Sequence, residues 1–133
     1  MGARGQVGGR PLTLIEAAPV HCTSVGKAIL AFQVPSAIDA IIAEGLKRYT
    51  DATITDGRRL RAELRRIRER GYAVDEGEHQ PGIRCIGAPI REQLGRVIAC
   101  LSVSGPARGM PKDQIPELAR IVVHHAGLIS AKL

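Results

Sequence analysis

His79–Ser104, read as HQPGIRCIGAPIREQLGRVIACLSVS, is a strand, a short turn and a second strand. Taking Glu92–Gly95 as the turn sets Arg91 opposite Arg96. That antiparallel register predicts Cys85 opposite Ser102 and Gly87 opposite Cys100. Ser102 and Ser104 are two apart, so both side chains leave one face. Val97, Ala99, Leu101 and Val103 alternate onto the other face, which is expected to be the better buried. Gly87 leaves space where a side chain would stand. A small polar hollow in an otherwise apolar sheet points to a ligand.

The totals bound what surrounds this hairpin. The chain has 133 residues, enough for one domain with a core of its own. Phe32, Tyr49 and Tyr72 are its only aromatics, so Ile, Leu, Val and Ala must build that core. No apolar run is long enough to span a bilayer, and the N-terminus has no signal-peptide pattern. Three cysteines in no paired spacing predict reduced thiols and a cytoplasmic protein. The net charge of +6 permits acidic partners. Its arginines sit mostly on one helix, however, and almost no aromatics are available to stack on bases.

Residues 1–20 are expected to be a flexible or partly extended lead-in, with Leu12–Val20 a strand broken by Pro19. A helix starts at Thr23–Ser24, with Val25, Ala28, Ile29 and Phe32 at helical spacing, and Pro35 ends it. Ser36 and Asp39 resemble a capping box for a second helix, Ala37–Glu44. Thr50–Thr55 reads as extended. Thr55 or Asp56 then caps an arginine-rich helix running through Arg70 and stopped by Gly71, with Leu60, Leu64 and Ile67 as its apolar stripe. Tyr72–Asp75 is a short strand. A proline-rich loop, Gly105–Pro116, precedes a closing helix, Glu117–Lys132, with Leu118, Ile121, Val122, His125 and Ile129 on its buried side. The strongest strand pair is antiparallel, so the fold class is α+β.

Several groups of residues invite chemistry. At Ser24–Val25–Gly26–Lys27 a helix N-terminus offers free N–H groups to a carboxylate or phosphate; the plainer reading is a capped helix whose Gly26 allows close packing. Gly26–Lys27 is no P-loop, since the upstream glycine spacing is missing. Asp75, Glu76 and Glu78 read as solvated loop acids. His21, Cys22, His79 and Cys85 match no zinc spacing, so no metal and no cofactor are expected. Of His124 and His125, one is expected packed and one exposed. Cys85 could be a nucleophile with His79 or His21 as its base, although a strand cysteine is more often a small hydrophobe. The arginine helix could grip phosphates, but Glu63 and Glu69 dilute it and its apolar stripe belongs to the core.

HCTSVGKAILAF, the TITD before the arginine helix, RERGYAVDEGEHQPGIRCIGAPI and GRVIACLSVSGP stand in an order that resembles the IclR family of bacterial transcriptional regulators. The resemblance covers His21 to the C-terminus and corresponds to the effector-binding domain. It implies a GAF-like curved antiparallel sheet flanked by helices, lacking its first strands here, and no enzymatic activity. It also implies a pocket built from Ser24, Val25 and Gly26 at the first helix, Asp75 closing the strand end, and Cys85, Ser102 and Ser104 from the hairpin. A small carboxylic acid is the implied effector, with a homodimer or homotetramer as the assembly. DNA would be read only through an N-terminal helix-turn-helix domain that this sequence does not show. Two departures stand out: Gly77 occupies a loop that is usually more acidic, and Arg10–Val20 fits the family poorly.

Overall fold

The computed structural model describes residues 19–133. The expected lead-in therefore lies outside the described residues, apart from Pro19 and Val20. Four helices and three strands follow in the order α1 (Ser24–Leu30), α2 (Pro35–Glu44), α3 (Gly57–Arg70), β1 (Ala73–Glu76), β2 (Ile83–Arg91), β3 (Val97–Pro106) and α4 (Ile115–Ser130). The strands form one antiparallel sheet in the order β1-β2-β3. Helix α1 lies on one face of it and α4 on the other. The α+β architecture is thus as read from the sequence.

The hairpin turn forms where expected: Gly95 takes φ 84° and its N–H donates to the Glu92 carbonyl at 2.9 Å. The register is different. Arg91 pairs with Val97, and a bulge between Ile90 and Arg91 leaves Ile98 without a partner. Every inner pair is consequently two residues further along than Arg91–Arg96 pairing predicts. Cys85 faces Ser104, Gly87 faces Ser102, and Pro89 faces Cys100. A shift of two preserves the faces, so Cys85, Ser102 and Ser104 still point the same way. The other face is the better buried, as expected: Val97 is buried and Ala99 and Leu101 are partly buried, with only Val103 exposed, whereas Ser102 and Ser104 are both exposed.

Two apolar clusters hold the layers. Ala28 and Leu30 of α1 and Ala31, its C-cap, pack with Leu60, Leu64 and Ile67 of α3 and Ala73 of β1. Ile86, Ala88 and Ile90 of β2 pack with Ile115, Ala119, Val122 and Ala126 of α4. The small side chains let α4 lie close to the sheet, as a core poor in aromatics requires. Here the predicted stripe is displaced: Ile121, His125 and Ile129 are exposed, and so is His124. The buried positions 115, 119, 122 and 126 keep helical spacing on a neighbouring stripe.

Helix α3 matches its reading. Asp56 caps it by accepting the Arg58 N–H, and Gly71 closes it in the left-handed region at φ 90°. Its arginines act as brackets: Arg61 meets Asp39 at 2.7 Å, Arg68 donates to the Ala31 carbonyl and Arg70 to the Tyr72 carbonyl. Asp39 is therefore committed to Arg61. The expected capping box does not form, and α2 begins at Pro35 without a side-chain cap. Proline suits a first helical turn, where its missing N–H has no partner to lose. Thr50–Thr55 forms no strand: a bend at Thr50 leads into a turn at Asp51 and Ala52, and Thr53–Thr55 have no regular structure. Thr53 Oγ1 donates to the Glu78 carbonyl and Thr50 Oγ1 to the Gly77 carbonyl, which ties this loop to the end of β1.

Candidate functional site

The register places Asp75, Cys85 and Ser104 in one row across the three strands, with Ala73, Gly87 and Ser102 in the next. Alternation sends both rows to the face that carries α1. A Cβ on Gly87 would stand 2.8 Å from Cys100 Sγ and 3.2 Å from the Ser24 carbonyl oxygen. The bare glycine thus lets the start of α1 rest on the sheet. A cavity of about 760 Å³ opens beside this contact. Ser24, Val25, Gly26, Asp75, Cys85, Ser102 and Ser104 all line it. Val20, Ile29, Leu30, Ile41 and Ile83 supply apolar wall, and Thr23, Gln33, His79 and Gln80 add polar groups. No lysine or arginine faces the cavity among the described residues.

The first helical turn offers less than its sequence suggests. Thr23 is the N-cap, its Oγ1 accepting the Gly26 N–H at 3.0 Å. The Gly26 amide is thereby taken. Its contribution is space, since a Cβ there would lie 2.4 Å from the Val20 Cα. Ser24 is buried, while Val25 is exposed at the mouth. Of the predicted apolar stripe of α1 only Ala28 is buried: Val25 is exposed and Ile29 and Phe32 are partly buried, while Ser24, Gly26, Lys27, Leu30 and Ala31 are buried.

Lys27 is the residue that sequence reasoning missed. Its side chain is wholly buried, and its Nζ donates to Glu63 Oε2 at 3.0 Å, Glu78 Oε2 at 2.9 Å and the Val74 carbonyl at 2.8 Å. All three donors of the ammonium are therefore used. The local sequence carried no signal for it, since a lysine in a short helix reads as solvated. Asp75 and Glu78, read from their residues alone as solvated acids, are buried as well. Asp75 Oδ1 accepts the Glu78 N–H at 2.8 Å, so the cavity wall and the Lys27 cluster share a turn.

Burial pushes the Asp75 and Glu78 carboxyls above their ordinary range, against the opposing pull of Lys27 and of hydrogen bonds to the ionised forms. At Glu63 burial acts in the same sense, but Lys27, Arg66 and Arg70 outweigh it and hold this carboxyl below the ordinary range. The three acids have opposite linkage to stability. Asp75 and Glu78 contribute stability that is present below their unfolded pKa values and lost as pH rises through the folded ones. Glu63 contributes stability that is present above its unfolded pKa and lost as pH falls through its folded one. Asp75→Asn keeps the Oδ1 acceptor and removes the first kind of dependence. It is expected to flatten the fall in unfolding free energy above the ordinary carboxylate range, measured by urea titration at several pH values. An unchanged slope would mean that Asp75 ionises freely.

Burial also raises the Cys85 thiol, reinforced by the Asp75 charge and opposed by a hydrogen bond with Ser104. That keeps the sulfur protonated and a poor nucleophile. His21 Nε2 is engaged with the Lys47 carbonyl at 2.8 Å, and the His79 ring lies edge-on to Tyr49. The arrangement that would activate Cys85 is not built here.

The sequence profile of the bacterial transcriptional regulator IclR C-terminal domain matches residues 14–131. The chain belongs to the IclR family. It is 39% identical over 112 residues to the HTH-type transcriptional regulator BhcR of Paracoccus denitrificans, covering 84% of this chain and 40% of BhcR. Among solved structures, Thermotoga maritima IclR superimposes with a TM-score of 0.81 at 40% identity, over 86% of this chain and 47% of that one. A double mutant of the inducer-binding domain of the Acinetobacter transcription factor PobR, solved in complex with 3-hydroxybenzoic acid, gives 0.80 at 27% identity, over 85% and 66% of the two chains. The fold is therefore the GAF-like effector-binding domain of an IclR-type regulator, and these relatives regulate transcription instead of catalysing reactions. No helix among the described residues is long and apolar enough to cross a membrane.

Proposed function

We propose that residues 21–133 form the sensing domain of an IclR-type regulator whose effector is a small organic acid. The observation that carries this reading is the convergence of Ser24, Asp75, Cys85, Ser102 and Ser104 on one cavity. A volume of about 760 Å³ lies within the usual range for ligand sites and is roomy for a two-carbon acid. With no cationic side chain in the lining, serine hydroxyls and backbone N–H groups near the start of α1 hold the carboxylate. Asp75 would repel it and so faces a hydroxyl elsewhere on the effector. Val25 and Cys85 set its apolar size. That a double mutant of the PobR inducer-binding domain was solved with 3-hydroxybenzoic acid supports an organic acid as a ligand class. Control of DNA binding follows only where an N-terminal reading domain accompanies this one. It requires an effector that binds two states of the assembly with different affinity.

The test is thermal shift over keto acids, hydroxy acids and aromatic acids. A specific ligand at a hundred times its Kd stabilises the domain by about 2.7 kcal/mol. Ser102→Ala combined with Ser104→Ala is expected to weaken that ligand about tenfold or more, as is Asp75→Asn, by isothermal titration. A ligand bound equally well by all three proteins would place the effector elsewhere.

A further inference from the structure

The charges around the cavity do not balance once an acid enters it. Asp75 is only 5% exposed and lines the cavity in one row with Cys85 and Ser104. Lys27 has no donor left for it, since its three N–H groups go to Glu63, Glu78 and the Val74 carbonyl. Arg66 and Arg70 reach the cluster only through Glu63. Among the described residues, the hydrogen-bond partner of the Asp75 carboxylate is a backbone N–H, that of Glu78. The other titratable groups against it offer no countercharge either. Cys22, before α1, and Cys85 of β2 keep protonated thiols, raised by burial and then by the Asp75 charge, Cys22 to about 12. Glu78 has its carboxylate on Lys27 and stands outside the cavity lining. His79 is the second group of the lining that can take up a proton.

We propose that the effector enters together with a proton, which Asp75 takes up from solvent. Proton uptake of this kind deepens the organic-acid reading and rests on it. A carboxylate held by Ser102 and Ser104 lies two strands from Asp75, about 10 Å away at ordinary strand spacing. At an effective dielectric of about 20, that charge disfavours ionisation of Asp75 by about tenfold, and by more once the bound acid displaces water. Burial already biases Asp75 in the same sense. Protonation removes the repulsion and adds a donor. Oδ1 goes on accepting the Glu78 N–H, while Oδ2 carries the proton toward the effector hydroxyl. Binding thus raises the pKa of Asp75. The affinity is at its full value below the pKa of the free domain and falls until pH has passed that of the complex.

Isothermal titration with pyruvic, lactic and 3-hydroxybenzoic acids, each beside its primary amide, tests this from about pH 5 to 8.5. An acid that binds is expected to lose about tenfold in affinity as pH rises across the window. At the steepest point it is expected to take up about half a proton or more, read from the difference in heat between phosphate and Tris buffers. The amide brings no charge and is expected to bind with a flat profile. Asp75→Asn is expected to flatten the profile of the acid too, at a lower affinity near neutral pH. His79→Gln is expected to keep the wild-type slope, whatever it does to the affinity itself. An acid that binds without proton uptake overturns the proposal and leaves the organic-acid reading standing. So does a slope that survives in Asp75→Asn, vanishes in His79→Gln or is shared by the amide. If none of the three acids binds, the organic-acid reading falls and the proposal with it.

Discussion

Lys27→Met is expected to cost about 3–5 kcal/mol of folding stability, measured by urea unfolding at neutral pH. The methionine fills much of the same volume, so the loss is electrostatic. Glu63 keeps Arg66 at 3.0 Å and Arg70 at 3.9 Å after the change. Glu78 does not fare as well, because among the described residues Lys27 is its one ion-pair partner and its Oε1 is already buried without a hydrogen bond. A carboxylate stranded in this way either protonates or stays charged at high cost. Domains of this size are stable by only about 5–15 kcal/mol, so the variant sits near the limit of folding.

The same reasoning fixes the pH dependence and the rescue. The penalty is expected to grow as pH rises, since each step favours the charged form of the unpaired Glu78. Adding Glu78→Gln to Lys27→Met removes that charge and is expected to recover part of the loss, read as a coupling energy in a double-mutant cycle. A single-variant cost within about 1 kcal/mol would sink the idea that the cluster is a buried triad, since that is the usual worth of an exposed pair.

The parts of the fold with strong local periodicity were legible in the sequence. Helix α3 was bounded correctly because Asp56 and Gly71 are unambiguous caps and Leu60, Leu64 and Ile67 leave no second choice of stripe. Helices α1 and α4 were placed correctly and rotated wrongly. Both lack aromatics and carry aliphatic residues on several sides, so no single stripe stands out, and tertiary packing chose those with Ala28 and Ala31, or Ala119 and Ala126. The hairpin register failed for a different reason: a bulge at Ile98 has no glycine or proline to announce it. The candidate site survived that error because a slip of two residues keeps the side chains on their face. Lys27 was illegible because a lysine in a short helix reads as solvated. Only its long-range partners, Glu63 and Glu78, show why it is buried.

Gly87→Val is expected to destabilise the domain by about 1–3 kcal/mol and to abolish effector binding together with it. Valine favours strands, by up to about 1 kcal/mol over glycine, so the backbone gains from the change and packing must decide the sign. Two contacts oppose it. Cys100 Sγ, 2.8 Å from the new Cβ, ends a short side chain that can rotate away; the Ser24 carbonyl, at 3.2 Å, is backbone and moves only with α1. Gly87→Ala is therefore expected to be mild and to approach wild-type stability when combined with Cys100→Ala. Valine adds two methyl groups against Ser24, and the cysteine change cannot relieve them. It lifts the start of α1 off the sheet and so separates Ser24 from Ser102 across the cavity. Gly105→Ala serves as the control on the same sheet, since its Cβ would meet only Met110 Sδ at 3.7 Å. There the reduced freedom of the unfolded chain is expected to leave stability unchanged or raised by about 0.4–1 kcal/mol. If Gly87→Val instead unfolds at the wild-type midpoint and retains its ligand, α1 does not depend on a bare strand for its seat, and the cavity is bounded by something other than this contact.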